Sequence, residues 1–388
     1  MPDVAVKPVS TDAELQAFLR MPWTVYKDNP VWSAPLWSEH VKFFDPKHNV
    51  ELQHIDHQKF IAWRGDTPVG TIIAFVNHAY NEFQEQNAGW FGQFELLNDQ
   101  EAAHALLKTA EDWVRAKGVD KLMGPATYSA NSEIGLQVDG FDQRQMIQSP
   151  IAPPYSKALV ESYPGMVKTM DLWYWYFDGR KWGGKKADNP PAKLKRVVEK
   201  LRVRNNKFRI RPADMSHFKE ELDRIKLIYN QAWAKNWGFV PLSEAEIDNL
   251  AKSLKDMVDP NLVMFAEVDG KPIAFALPMP DVYEPMRLAR MKPGEPELWQ
   301  LLRLIWHWKV RGKTSGVRVW AMGVLEEYRK AGVDAMMYYE MLMAGLKRGY
   351  VDIEMSWILE NNDKMNTIIA AMGAKIYKTF RVYEKKLK

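Results

Sequence analysis

Two stretches in opposite halves of the chain, FIAWRGDTPVGTIIAFV from Phe60 and MFAEVDGKPIAFALPMP from Met264, follow one plan. Each is an apolar run, a polar turn carrying a glycine and a proline (Gly65 and Pro68, Gly270 and Pro272), and a second apolar run, the pattern of a β-hairpin. Downstream, EAAHALLKTAEDWVRAKGVDKLMGP corresponds to DAMMYYEMLMAGLKRGYVDIEMSW. Both are amphipathic helices closed by a glycine, Gly118 or Gly349, and followed at once by a strand. Each half therefore runs hairpin, strand, helix, strand, and an internal repeat of that kind confines the chain to two α/β units. The second half is longer between hairpin and helix, where ELWQLLRLIWHWKVRGK reads as an inserted helix packed on its domain.

Length and composition agree with two domains. The chain has 388 residues, 46% of them hydrophobic, enough for a full core in each half. No apolar run approaches the ~20 residues needed to cross a bilayer, and MPDVAVKPVSTDAEL lacks the basic end and apolar centre of a signal peptide. A cytoplasmic location is the expectation. With no cysteine in the chain, disulfides, thiolate metal sites and a cysteine nucleophile are excluded.

The net charge of +4 is unevenly placed. Between Arg180 and Lys207 stand eleven Lys and Arg against Asp188 and Glu199, a local +9 that leaves the remainder at −5. The same stretch holds Gly183-Gly184 and Pro190-Pro191, which mark a boundary, and then AKLKRVVEKLRVR with Leu194, Val197, Val198 and Leu201 at helical spacing. It reads as a linker, 180–206, ending in a basic amphipathic helix. That helix either docks on its own protein with a solvated basic face or contacts nucleic acid, acidic lipid or a protein partner.

After the linker, KFRIRPAD alternates as a strand, MSHFKEELDRIKLIYNQAW and EAEIDNLAKSLKDM read as helices, and GVRVWAMGV and VDIEMSWIL as strands. A last helix over KMNTIIAAM ends at Gly373, before AKIYKTFRVYEKKL, which reads as one or two closing strands. This order, the RPAD segment, the turn Arg329-Lys330-Ala331-Gly332-Val333-Asp334 and the ending NNDKMNTIIAAMGAKIYKTFRVYEKKL resemble the GNAT superfamily of acyl-CoA-dependent N-acyltransferases, in its tandem bacterial form. The resemblance implies an α/β fold of two GNAT-like domains, each a mixed central sheet with helices on both faces. It covers 207–388, the acyl-CoA-binding domain, and extends to 1–179 by topology as a degenerate copy.

The implied activity is direct transfer of an acyl group, acetyl or longer, from acetyl-CoA or another acyl-CoA to an amine of a small-molecule or peptide acceptor, without a metal. The alternative is a non-catalytic binding protein acting through the basic linker. The resemblance assigns the coenzyme to Val324, Arg329, Lys330, Ala331, Gly332, Val333, Asp334 and Asn362. Backbone N–H groups at the start of a helix lack internal partners and attract pyrophosphate, Gly332 would let it approach, and Arg329 and Lys330 would add charge. Gly332 in an ordinary strand-to-helix turn is the alternative. Asp334 stands where the family has glycine or alanine, and Ile369 where it has a tyrosine acid.

For the base, Glu354 shares a strand face with Asp352 and Ser356 by the period of two. A carboxylate paired with Lys or Arg is the competing reading. Tyr338 and Tyr377 are candidate acids. Trp233, Trp237, Phe239 and Trp357 are candidate acceptor contacts, against a plain packing role. In the first half, ELLNDQEAAHALL puts Asn98 and Glu101 where Arg329 and Gly332 sit, so no anion site is expected there. The long excursion over 124–155 either closes a site or caps the neighbouring domain, with Tyr128, Asn131, Glu133 and Tyr155 its notable polar groups. HIDHQKF places His54 and His57 on opposite strand faces and argues against a metal.

Overall fold

The structure is a computed structural model describing residues 2–387 apart from 244–245 and 248–256, with backbone alone at 130–132. The helix read at EAEIDNLAKSLKDM lies largely outside the described residues, as does the Asn131 side chain.

In the first half the elements are β1 (Val4–Pro8), α1 (Asp12–Val25), α2 (Trp37–Phe43), β2 (Ile55–Arg64), β3 (Thr67–Asn77), α3 (His78–Phe83), β4 (Ala88–Leu96), α4 (Gln100–Ala116) and β5 (Lys121–Gly124). The excursion follows as β6 (Ala126–Thr127), β7 (Ser129–Ile134) and β8 (Leu136–Asp139), then α5 (Tyr155–Glu161) and β9 (Val167–Asp178). The linker carries α6 (Ala192–Arg204). The second half has β10 (Phe208–Pro212), α7 (Phe218–Ala232), β11 (Met264–Val268), β12 (Lys271–Pro280), α8 (Tyr283–Ala289), α9 (Glu297–Ile305), β13 (Gly316–Val324), α10 (Val333–Lys347), β14 (Asp352–Leu359), α11 (Asp363–Ala371) and β15 (Lys375–Lys386).

Local chemistry fixes many boundaries. The β11–β12 turn is Asp269-Gly270, with φ of 50° and 79°, the left-handed pair that matches strand twist in a two-residue hairpin. Thr11 and Glu14 form a capping box on α1, and Asp99 caps α4 by accepting from Ala102 N at 3.1 Å. Arg64 grips Asp99 at 2.6 Å and Glu101 at 2.8 Å, so this helix start already carries its own carboxylates.

Among the described residues the strands form one 13-stranded sheet, ordered β1-β2-β3-β4-β5-β15-β9-β14-β13-β12-β11-β10, with β8 also on β15. Along this order only β4/β5 and β13/β14 are parallel. The centre is an exchange: β9, from the first half, pairs with β14 of the second, and β15, from the second, pairs with β5 of the first. The two then pair with each other along most of their length. Helices cover both faces. On the first half α4 buries Ala103, Leu106, Leu107 and Val114 completely against Ile72 and Leu96. On the second, α10 lies between the sheet and α6 and is buried nearly all round, which explains its apolar composition.

The linker is docked. Trp182 is buried against Phe177, Arg180 pairs with Asp352, and α6 packs Val198 and Leu201 inward while Val197 stays exposed. Lys185, Lys186, Lys193 and Lys195 are among the exposed trypsin sites of this segment. Limited tryptic cleavage is expected to begin there, and the two fragments to co-elute under native conditions because each supplies a central strand to the other. Separation of the fragments without denaturant would contradict the exchange.

Candidate functional site

Parallel strands β13 and β14 pair only from Gly316 with Asp352 to Val319 with Met355. Beyond that they diverge, each keeping its outer neighbour, β12 or β9. The first half repeats the geometry: β4 and β5 pair from Ala88 with Lys121 to Trp90 with Met123 and then part. Backbone groups on the inner edges of such a wedge lose ladder partners and become available to a ligand. A single cavity of about 990 Å³ reaches both wedges, bordered by Trp320–Val324 and 356–359 in one and by Gln93, Phe94, Glu95 and Pro125 in the other. Its size is at the upper end for small-molecule sites. The 124–155 excursion forms part of the wall through Thr127, Glu133 and Gln148. It also ties the halves together: Ile147 N donates to Asp281 at 3.0 Å and Arg318 donates to Ile147 O at 2.6 Å.

At the second wedge, Val324, Arg329, Asp334 and Asn362 border the cavity together with Lys364, which the sequence reading did not single out. Arg329 is held by its own loop, donating from Nε to Val324 O at 3.1 Å and from Nη2 to Ala232 O. Lys364 donates to Arg329 O at 2.7 Å and lies 3.7 Å from Asp334, so it offsets that carboxylate. Asp334 accepts from Ala335 N at 2.9 Å, and Asn362 caps α11 by accepting from Met365 N at 3.3 Å. Lys330, Ala331, Gly332 and Val333 are not in the cavity wall. Val333 is wholly buried, and Ala331 O accepts from Asn205 of the linker at 3.0 Å. Gly332 has φ of 76°, and a Cβ there would meet the Leu201 methyls at 2.8 Å. The close approach that this glycine permits is to α6, where the sequence reading had expected phosphate.

Glu354 is also placed differently from the expectation of an available base. It is wholly buried in the middle of the sheet and outside the cavity wall, between Lys378 at 3.0 Å and Arg318 at 3.4 Å. It accepts from Ser356 at 2.7 Å, from Ser149 at 3.3 Å and from Tyr377. Burial would raise its carboxyl, but the Lys378 and Arg318 charges outweigh this and hold it below the usual range. Such a carboxylate is saturated with donors. Tyr377 is spent on Glu354 and likewise does not border the cavity, and burial pushes its phenol far up. Tyr338 does border it, one helical turn after Asp334, with burial keeping the phenol protonated. Ile369 lies in the core.

Trp233, Trp237, Phe239 and Trp357 all line the cavity, with Trp233 edge-on to Tyr229 at 4.1 Å between ring centres. A second cavity group with no counterpart among the sequence candidates is Glu95, in the first wedge. It sits deep in the molecule yet faces the cavity, and its Oε2 is buried without a hydrogen-bond partner. Burial pushes its carboxyl up to about 7; nearby Tyr26 pulls the other way, and neighbouring Glu133 adds to the rise. The Tyr26 hydroxyl is anchored on Ile151 O at 2.8 Å. Glu133, also on the cavity, is raised by burial as well. His40 at the same wall is lowered by burial to about 4 and is neutral at pH 7. The only sequence signal for Glu95 is a lone carboxylate in the apolar strand GWFGQFELL.

Among the described residues, no group of three or more His, Asp or Glu could hold a metal, and no helix is long and apolar enough to cross a membrane. No protein-family model matches the chain. Whole-chain relatives do. The bacterial ceramide synthase of Caulobacter vibrioides is 35% identical over 390 residues, covering 99% of this chain and 98% of that protein. Protein YghO of Escherichia coli is 32% identical over 378 residues, covering 96% and 93%. Among solved structures, a tandem GNAT protein from the clavulanic acid biosynthesis pathway superposes with a TM-score of 0.56 at 11% identity, over 99% of this chain and 98% of that one. A GCN5-related N-acetyltransferase from Sphaerobacter thermophilus gives 0.52 at 12% identity, over 100% and 97%. The duplicated wedge, the exchanged strands and these whole-length matches lead to one assignment: the chain has the tandem GNAT fold and belongs to the family of the Caulobacter bacterial ceramide synthase and Escherichia coli YghO.

Proposed function

We propose that this protein is an N-acyltransferase that moves an acyl group from an acyl-CoA to the amine of a long-chain amino alcohol. The observation that carries the reading is the single cavity linking a cation-edged wedge to a wedge holding a carboxyl near neutrality. Kinship with a ceramide synthase supports the acceptor class, because a ceramide is the amide of a fatty acid with a long-chain amino alcohol. The aromatic wall of Trp233, Trp237, Phe239 and Trp357 suits hydrocarbon on either substrate.

In this scheme Arg329 and Lys364 receive the coenzyme phosphates and the unpaired edges of β13 and β14 receive its amide-bearing arm. The acceptor arrives as an ammonium. Glu95, ionised, takes a proton from it, and the free amine attacks the thioester carbonyl. A C–N bond forms and the C–S bond breaks. As the C–S bond breaks the nitrogen gives up its second proton, and the departing thiolate, hydrogen-bonded by Tyr338, takes up one proton to give the free thiol, while Glu95 releases the first to solvent. A carboxyl poised near 7 serves as this base where one held well below its usual range, such as Glu354, does not.

The test is mass-spectrometric detection of the amide when purified protein is given a long-chain acyl-CoA and a long-chain amino alcohol. Absence of amide across short and long acyl-CoA donors, with the fold intact, sinks the proposal. Arg329→Ala and Lys364→Ala are each expected to raise the KM for acyl-CoA with little change in kcat, by about 1.5–3 kcal/mol of binding if each makes one charge-assisted phosphate contact. An unchanged KM in both would remove the coenzyme from this wedge.

A further inference from the structure

The inserted segment after β12 is not simply packed on its domain. Helix α9 turns one face inward, burying Gln300 and Leu304, and presents a continuous apolar ridge outward. Leu298 is 65% exposed, Trp299 59%, Ile305 49% and Trp306 54%, and Val310 on the following π-turn is 62% exposed. Six large apolar side chains on one short element, counting Leu302 with these, exceed the scattered exposure normal for a protein surface. Exposed basic residues bracket the ridge, Arg290 and Lys292 before it and Lys309, Arg311 and Lys313 after it. The nearby acidic groups are Glu295, already paired with Arg303, and Glu297 in the first helical turn.

We infer that this ridge is a membrane-docking surface that seats the protein on bilayers containing anionic lipid. An apolar face carrying two tryptophans, flanked by lysine and arginine, has the composition of a helix lying in the headgroup region. The basic flanks give the charge complementarity that selects an anionic surface over neutral lipid or an uncharged protein face. The placement has a use. Gln300 on the buried side of α9 accepts from Trp37 N, at 3.3 Å, and α2, which Trp37 begins, contributes His40 and Phe43 to the cavity wall. The ridge therefore puts that wall near the depth at which hydrocarbon-chain substrates reside. The docking inference stands on exposure and charge and does not require the proposed reaction.

Co-sedimentation of the full-length protein with vesicles tests it without turnover. Binding is expected to vesicles of phosphatidylcholine containing phosphatidylglycerol, and to weaken with added salt and with phosphatidylcholine alone. Trp299→Ser with Trp306→Ser should lower the partition coefficient by about tenfold or more, since both rings are solvent-facing and their loss leaves the core intact. Lys309→Gln with Arg311→Gln and Lys313→Gln should remove most of the salt dependence. Circular dichroism and thermal unfolding of the variants should match wild type. Failure of wild type to bind anionic vesicles, or equal binding by the double tryptophan variant, overturns the inference. So does a concentration-dependent dimer, with no vesicle binding, that the same variant abolishes, because it would assign the ridge to a second copy of the chain. Loss of amide formation with vesicle binding retained would count against the reaction alone.

Discussion

Glu95→Gln is expected to lower kcat by about 10²–10⁴-fold, the range for removing a positioned general base, while the KM for acyl-CoA changes little. In the wild type the rate should rise with pH and level off above about 7, because only the ionised carboxyl accepts the proton. The glutamine variant should lack that limb. The same residue makes a thermodynamic prediction of opposite sense. Its carboxyl titrates at 4.5 when unperturbed and about 7 in the folded protein. Below 4.5 both states are protonated and Glu95 costs nothing. As pH rises through that window the unfolded chain ionises first, and folding loses up to about 3 kcal/mol. Relative to wild type, Glu95→Gln should therefore gain stability between acid and neutral pH in urea titrations. A rate profile unchanged by the substitution would remove Glu95 from the chemistry, whatever the stability data show.

Glu354→Ala should destabilise the protein by about 3–5 kcal/mol at neutral pH, since it leaves Lys378 and Arg318 buried without their shared counter-charge. Glu354→Gln should cost less, because the amide still accepts from Ser356 and Tyr377. Chemical denaturation of both variants beside wild type measures the difference. If Glu354→Ala unfolds within about 1 kcal/mol of wild type but loses turnover, Glu354 is a base after all and the saturated cluster is not structural.

The same carboxylate marks where sequence reasoning stops. Period-two alternation correctly put Glu354 and Ser356 on one face, and they do hydrogen-bond. Whether that face opens to a ligand depends on Lys378 and Arg318, which come from other strands, and on Ser149 from the excursion. No local pattern reports this. Both hairpins, the paired helices closed by Gly118 and Gly349 and the Trp-rich insertion were legible, because turn chemistry and hydrophobic period are local, and the aromatic residues singled out do line the cavity. Gly332 was legible as a position needing a left-handed backbone, but Leu201, from the far side of the linker, decides what it admits. Glu95 was invisible because its strand reads as an ordinary buried one, and the cavity it borders exists only because β4 and β5 part, which no local pattern reports. The two half-sheets could be read from the repeat. Their exchange could not, since a strand's letters do not name its partner.

That exchange bears on the order in which the protein can be made. The first half is synthesised first, yet β5 finds its neighbour in β15, residues 375–386. Until the ribosome has released that segment, the growing chain carries an open strand edge at β5, with β9 lacking both of its partners. The N-terminal half cannot complete its sheet before residues 375–386 have been made, and a chain halted within the second half holds unpaired β-structure ready to join another copy. Interrupted synthesis is then a circumstance in which this protein is exposed to aggregation through its unpaired strands.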